Sequence, residues 1–163
     1  MKTVIMVRHA KSSWEEQGVS DFDRPLNNRG KRDAPEMAQR LKKRNIPIDL
    51  FISSPAKRAK KTSELFAEEF NYQKDNIFFV KELYLADADN FSSVISHSPS
   101  SANSIIIFSH NPGITAFVNS LTAVKINNMP TCAAFAVSAN CNNWSEFDRA
   151  EKEFIFFDYP KAL

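Results

Sequence analysis

Glycine is nearly absent from this chain, with Gly18, Gly30 and Gly113 the only three among 163 residues. Neither G-x-G-x-x-G nor a Walker loop can be assembled from them, which argues against the usual dinucleotide and P-loop nucleotide chemistry. Histidine and cysteine are scarce too. His9, His97, His110, Cys132 and Cys141 show no C-x-x-C or H-E-x-x-H spacing, so no metal site is expected. Two cysteines without an export signal make a poor start for a disulfide framework, and both are expected to be inert packing residues. Long apolar runs are missing as well. The N-terminal run stops at Val7, where Arg8 and His9 interrupt it, too short for a signal-peptide core. No stretch approaches the roughly 20 apolar residues of a membrane span. Nor does one sign of charge dominate: 21 basic and 19 acidic residues leave a net charge of +2, which demands neither nucleic acid nor membrane as partner. The expectation is a soluble cytoplasmic protein.

What is present is ordinary globular composition, 43% apolar and 25% charged. A chain of this length buries roughly 70% of its unfolded surface, enough for a core without staples, and residues 1–163 read as one domain. Short β-branched runs alternate with helical stretches. Thr3–Val7, Asp49–Ile52, Ile77–Val80 and Ser104–Phe108 read as strands. Ala34, Met37, Ala38 and Leu41 mark a helix over about residues 30–44, with Pro35 early in it. Ser54-Pro55 and Asn111-Pro112 each read as N-cap and first position of a helix, and Phe91–Ile95 as a short one. Ala133–Val137 and Glu153–Phe157 are late strands without a convincing helix between them, an arrangement that suits antiparallel pairing. No repeat, low-complexity tract or linker interrupts the chain. The fold class expected is α/β, a three-layer sandwich with a mostly parallel central sheet and helices on both faces.

Three strand ends carry the chemistry: Arg8-His9-Ala10-Lys11-Ser12, Ser53-Ser54-Pro55-Ala56-Lys57-Arg58, and Ser109-His110-Asn111-Pro112-Gly113. In open α/β sheets ligands bind beyond the carboxyl ends of the strands, where helix N-termini also point their free N–H groups. Cationic and ionisable groups arriving there from three segments converge on an anion. Lys57, Arg58, Lys60 and Lys61 crowd the start of the second helix against its dipole, at a cost of ~0.3–1 kcal/mol per charge that a bound anion offsets. A solvated face explains the three lysines equally well. A neutral imidazole can attack phosphorus and form a covalent phosphohistidine, while guanidinium forks match phosphate oxygens. On residues alone, however, an Arg-His pair at a strand end is read as readily as a buried histidine satisfied by backbone.

Arg8-His9-Ala10-Lys11-Ser12-Ser13-Trp14, with Asp21-Phe-Asp-Arg-Pro-Leu-Asn27 and Arg29-Gly30 behind it, closely resembles the histidine phosphatase superfamily, in particular its small SixA-type phosphohistidine phosphatase branch. Ser53-Ser54-Pro55 through Arg58-Ala59 to Thr62 is similar to that family's second arginine motif, and Ser109–Gly113 to its second histidine motif. The matches run in order from Met1 to about Leu121. The resemblance implies His9 as nucleophile, with Arg8, Arg58 and His110 binding and polarising the phosphoryl group. It places Lys11 and Ser12 along the phosphate pocket, and Glu82 where relatives often carry the general acid for the leaving oxygen. Asp87 and Asp89 are substitutes that loop solvation explains more simply; Asp21 and Asp23 are read as bracing their loop through Arg24, and His97 as a surface residue. Ala10 stands where much of the superfamily has glycine, and Glu15 where mutase-like members place asparagine, which weakens a mutase reading. With no insertion long enough to lid the pocket, an open rim suits a bulky phosphorylated protein or an undemanding set of small esters. The function expected is a metal-independent, cofactor-free phosphatase acting through His9 on protein phosphohistidine. A general phosphomonoesterase or mutase on small metabolites, and a non-catalytic phosphate-binding module, remain the alternatives.

Overall fold

The computed structural model describes residues 1–15 and 17–162. In chain order the elements are β1 Lys2–Arg8, α1 Asn28–Lys42, β2 Leu50–Ser53, α2 Lys57–Glu69, β3 Phe78–Phe79, α3 Ala88–Ser96, β4 Ser104–Ser109, α4 Gly113–Asn119, β5 Ala134–Ala139 and β6 Lys152–Asp158. Single 3-10 turns at Asp21–Asp23 and Lys81–Leu83 lie in the connections that matter for the site. Among the described residues no helix is long and apolar enough to cross a membrane.

The six strands form one sheet in the order β3-β2-β4-β1-β5-β6. The first four of these pair parallel, whereas β5 runs antiparallel to β1 and β6 antiparallel to β5. The sheet is therefore mixed, not mostly parallel as expected. A parallel return needs a long crossover, generally a helix. Between β5 and β6 the chain has only the 3-10 turn Trp144–Arg149, so β6 can come back only antiparallel.

Side chains alternate across the sheet because successive strand residues point to opposite faces. Val4, Met6, Leu50, Ile52, Ile105 and Ile107 pack on one face with Phe91, Ile95, Ile114 and Phe117 from α3 and α4. Ile5, Val7, Phe51, Ile106 and Phe108 pack on the other with Ala34, Met37, Leu41 and Phe66 from α1 and α2. Both faces are covered, which is why β1, β2 and β4 are apolar without interruption.

Local starts and stops differ from the sequence reading in three places. α1 begins at Asn28 under the Asn27 side chain, which accepts the Gly30 N–H at 2.8 Å, so Pro35 lies inside the helix. α2 begins at Lys57 and α4 at Gly113, neither with a side-chain cap. The Asn111 side chain is engaged with Asn128 and Thr115, and the Ser54 hydroxyl accepts the Ala56 N–H just ahead of α2 while also bonding His110.

Two of the three glycines allow loops to touch helix starts. A Cβ on Gly30 would lie 2.2 Å from the Lys11 carbonyl oxygen, and one on Gly113 2.0 Å from that of Ala86. Both obstacles are backbone and cannot swing aside. Gly30→Ala and Gly113→Ala are each expected to cost about 1–3 kcal/mol of stability through overpacking. Urea unfolding measures this, and a midpoint left in place by either substitution would contradict the close approach.

Candidate active site

Register decides which side chains meet. Parallel pairing sets Arg8 of β1 beside Ser109 of β4, and Phe108 beside Ser53 of β2. The residues that follow, His9, His110 and Ser54, therefore leave the carboxyl edge of the sheet side by side. The His9 and His110 rings lie 5.1 Å apart between centroids, and each residue is only 5% exposed. Arg8, His9, Lys11, Ser12, Arg58 and His110 line one cleft of about 290 Å³, together with Trp14, Asp21, Arg24, Leu85, Asn111 and Thr131.

The hydrogen bonds assign the tautomer of His9. Its Nδ1 lies 2.7 Å from the Ala10 carbonyl oxygen, which can only accept, so Nδ1 carries the proton. Nε2 then presents its lone pair and accepts the Arg58 Nε–H at 3.3 Å. Burial, then the neighbouring His110, Arg58 and Arg8, push its pKa well below the usual 6.5, outweighing the Ala10 hydrogen bond that raises it. The ring is neutral, and its unprotonated nitrogen lies beside a cation.

His110 is held from the other side. Its Nε2 lies 2.8 Å from the Ser54 hydroxyl, which already accepts the Ala56 N–H. Among the described residues the hydroxyl proton has no other acceptor, so it goes to Nε2, which leaves Nδ1 as a donor. Burial and the Arg58 charge bring the pKa of His110 down to about 3. Among the described residues, His110 Nδ1 and Arg8 Nε are buried nitrogens without a hydrogen-bond partner. A buried polar group costs about 1–3 kcal/mol unless water or a ligand pairs with it, and two of them on residues lining one cleft suit a bound ligand there. Both are donors, so the ligand is an anion.

The guanidinium groups are braced by main-chain atoms and by the side chains of Thr62 and Asp21. Arg8 Nη1 donates to the Met129 carbonyl at 2.9 Å, and the Cys132 N–H reaches the carbonyls of Arg8 and His9. The Thr62 hydroxyl donates to the Arg58 carbonyl at 2.7 Å and accepts the Ala10 N–H at 3.0 Å. Arg58 donates through Nη1 to the Asp21 carbonyl at 2.6 Å and through Nη2 to the Asp21 carboxylate at 3.1 Å. That carboxylate also accepts from the Tyr84 hydroxyl at 2.6 Å and from Arg24 Nε at 3.2 Å. The Tyr84 hydrogen bond first, then Arg58 and Arg24, hold Asp21 down at about 2. Asp21 thus braces its loop through Arg24 as read from the sequence, and in addition anchors Arg58.

Glu82 is the exception among the expected site residues. It is not among the residues lining the cleft that holds His9 and lines a separate one with Leu50, Ile52, Val80 and Val94. In the turn Lys81–Leu83 it is Leu83 that enters the core, and Tyr84 then reaches Asp21, which sends Glu82 outward. Lys11 is exposed at the cleft, and the Ser12 hydroxyl accepts from Arg24 Nη1 at 2.6 Å while keeping its own proton to donate. His97 is exposed. Cys132 is buried with its thiol pushed up by burial, a packing residue as expected, yet its main-chain N–H is part of the site. Tyr84, Met129 and Cys132 were not legible beforehand, because two of them act through backbone atoms and Tyr84 through an irregular turn.

A buried, neutral histidine between two arginines and a second histidine, at the carboxyl edge of an α/β sheet, defines an anion site equipped with a nucleophile. Residues 4–87 match the family model of the histidine phosphatase superfamily (branch 1), and the chain belongs to that superfamily. An uncharacterized chloroplastic protein of Arabidopsis thaliana is 29% identical over 153 residues, 89% of this chain and 70% of that protein. The crystal structure of a protein assigned as phosphohistidine phosphatase SixA, from Agrobacterium tumefaciens, superposes with a TM-score of 0.82 at 25% identity, covering 98% of both chains. A protein histidine phosphatase SixA complexed with tungstate shares the fold, with a TM-score of 0.82 at 23% identity over 97% of each chain. Family and neighbours together support phosphatase activity.

The two depressed imidazoles have a signed consequence. Both are neutral in the folded protein and bind a proton on unfolding, so stability is lost as pH falls from the ordinary histidine value of 6.5 towards about 3. Between pH 6.5 and about 5, ahead of the carboxylates, the unfolding free energy should fall with a slope approaching about 1.4 kcal/mol per pH unit for each histidine. His110→Gln should halve that slope. Urea titrations across the window check it, and a flat profile would mean that the imidazoles are charged when folded.

Proposed function

We propose that this protein is a metal-independent phosphatase that transfers the phosphoryl group to His9 and acts on protein phosphohistidine. The observation that carries the first half is the pair of buried donors without a partner among the described residues, Arg8 Nε and His110 Nδ1, beside the unprotonated Nε2 of His9. In the first step the Nε2 lone pair attacks phosphorus, and the bond to the leaving group breaks with its electron pair going to that group. Arg8, Arg58 and the His110 N–H take up the charge on the phosphoryl oxygens, the positioning and clamping on which phosphoryl transfer depends. In the second step water attacks phosphorus and the P–N bond to His9 breaks. Phosphate leaves, and the water's proton passes to it or to the released Nε2.

The leaving group argues for the second half. An alkoxide needs a proton from a positioned acid, worth typically 10²–10⁴-fold. Among the described residues lining the cleft, Asp21 is the one carboxylate, and it is held ionised by Tyr84, Arg58 and Arg24. Glu82 lies outside. A phosphohistidine leaves through a ring nitrogen and departs as neutral imidazole once its other nitrogen is protonated from solvent, so it needs no acid from the enzyme. The absence of a protonated carboxyl group from the lining suits that substrate better than a phosphate ester.

Brief exposure to a small phosphoramidate at low temperature, followed by intact-mass analysis, tests the intermediate. An acid-labile phosphoryl adduct is expected on the wild type and not on His9→Ala. Phosphate release that persists in His9→Ala without an adduct overturns the mechanism, and neither adduct nor release favours a binding module. Chelator should leave turnover unchanged. Glu82→Gln is expected to alter alkyl phosphate hydrolysis by less than about twofold, since removal of a general acid for an alkoxide leaving group would cost far more. A kcat/KM for a phosphohistidine peptide that does not exceed that for an aryl phosphate would favour a general phosphomonoesterase.

A further inference from the structure

Two apolar side chains stand where folding alone gives them no reason to be. Among the described residues Trp14, 75% exposed, and Leu85, 74% exposed, are the most exposed large hydrophobic side chains, and both line the cleft that holds His9. Exposed apolar residues scattered singly need no explanation, but a coincidence at the mouth of a site does.

Neither is loose. The Arg24 guanidinium stacks on the Trp14 ring, 3.5 Å from its centroid, and Arg24 is itself buried and fixed to the Ser12 hydroxyl and the Asp21 carboxylate. One face of the indole is thereby covered by a cation and the ring is oriented. Leu85 sits at φ 58, the left-handed region that leucine rarely adopts. Its neighbours lock it there: Tyr84 bonds Asp21, and Ala86 packs against Gly113, which has no Cβ to obstruct it. Backbone strain spent to hold an exposed leucine over a pocket points to function. A rigid aromatic with a low ordering cost is what recognition surfaces use as an anchor.

We infer that Trp14 and Leu85 form a specificity rim that grips the planar or aliphatic group bonded to phosphorus, while Arg8, Arg58 and His110 take the phosphoryl oxygens. On the reading given under Proposed function, on which this substrate assignment rests, that group is the phosphorylated imidazole ring and the apolar side chain nearest to it on the partner protein. A small polyhydroxylated phosphate ester offers the rim nothing to bury.

Binding measured by calorimetry tests the rim without relying on turnover. Phenylphosphonate, methylphosphonate and tungstate serve as probes on the wild type, Trp14→Ala and Leu85→Asn. The wild type is expected to bind phenylphosphonate about tenfold more tightly than methylphosphonate, as burial of part of a ring would give. In each variant the preference should shrink to within about twofold while tungstate affinity changes by less than about twofold, since the phosphoryl clamp is untouched. Leu85→Asn should melt no lower than the wild type, because asparagine tolerates the left-handed conformation. A wild type without the preference, a preference that survives both substitutions, or a loss of tungstate affinity equal to the loss for phenylphosphonate overturns the inference. The two readings fail separately. An adduct on His9 without a phenyl preference leaves the phosphatase and removes the rim; a phenyl preference without an adduct leaves the rim and removes the mechanism.

Discussion

Two guanidinium groups are held next to two neutral imidazoles in a cleft from which much of the water is excluded, and this crowding of like charge governs the rest of the molecule. Arg8 and Arg58 repel one another, and each pushes protons away from His9 and His110. Left to itself such a cluster would spread into solvent. It stays because Asp21 supplies a counter-charge to Arg58, and because the Met129 carbonyl takes the Arg8 guanidinium. Burial first, and then the repulsion that remains, keep His9 unprotonated.

Several features that seem unrelated follow from that requirement. Gly30 lets the Lys11 loop close on the start of α1, and Gly113 lets the Tyr84–Ala86 turn close on the start of α4. Tyr84 then meets Asp21, and Asp21 meets Arg58 and Arg24. The segment between α4 and β5, without regular structure of its own, returns to the edge of β1 and delivers the Met129 carbonyl and the Cys132 N–H. These are bracing contacts, and their sum fixes the two arginines and the two histidines in one geometry. Preorganisation of this kind is what catalysis of phosphoryl transfer asks of a protein, since little covalent chemistry is left for it to do.

The same bracing shapes selectivity. Asp21, by staying ionised to anchor Arg58, is withdrawn from service as a proton donor. The substrate proposed above, whose leaving group brings its own proton, needs no such donor. Its lysines, Lys57, Lys60 and Lys61, remain on the exposed side of α2, where solvation accounts for them, while Arg58 of the same helix turns inward.

The alternation of apolar runs and helical spacing in the sequence was enough for an α/β sheet with helices on both faces, because burial on both sides of β1, β2 and β4 demands unbroken apolar residues. It was also enough to bring Arg8, His9, Arg58 and His110 together, since side chains at the carboxyl ends of parallel strands have one rim to share. The antiparallel pairing of β5 with β6 was legible in the missing helix between them, whereas the antiparallel run of β5 beside β1 depends on the path of the segment after α4. The destination of Glu82 depended on which neighbour entered the core, and Leu83 did. Ser54 and Asn111 have the composition of caps, yet the Asn111 side chain is engaged with Asn128 and Thr115, and the Ser54 hydroxyl bonds His110 as well as the Ala56 N–H. Residue types and their order thus determined the layers and the reacting groups; tertiary structure alone decided the tautomer of His9, the ionisation of Asp21 and the backbone atoms that hold Arg8, because each of these is set by a partner far away in the chain.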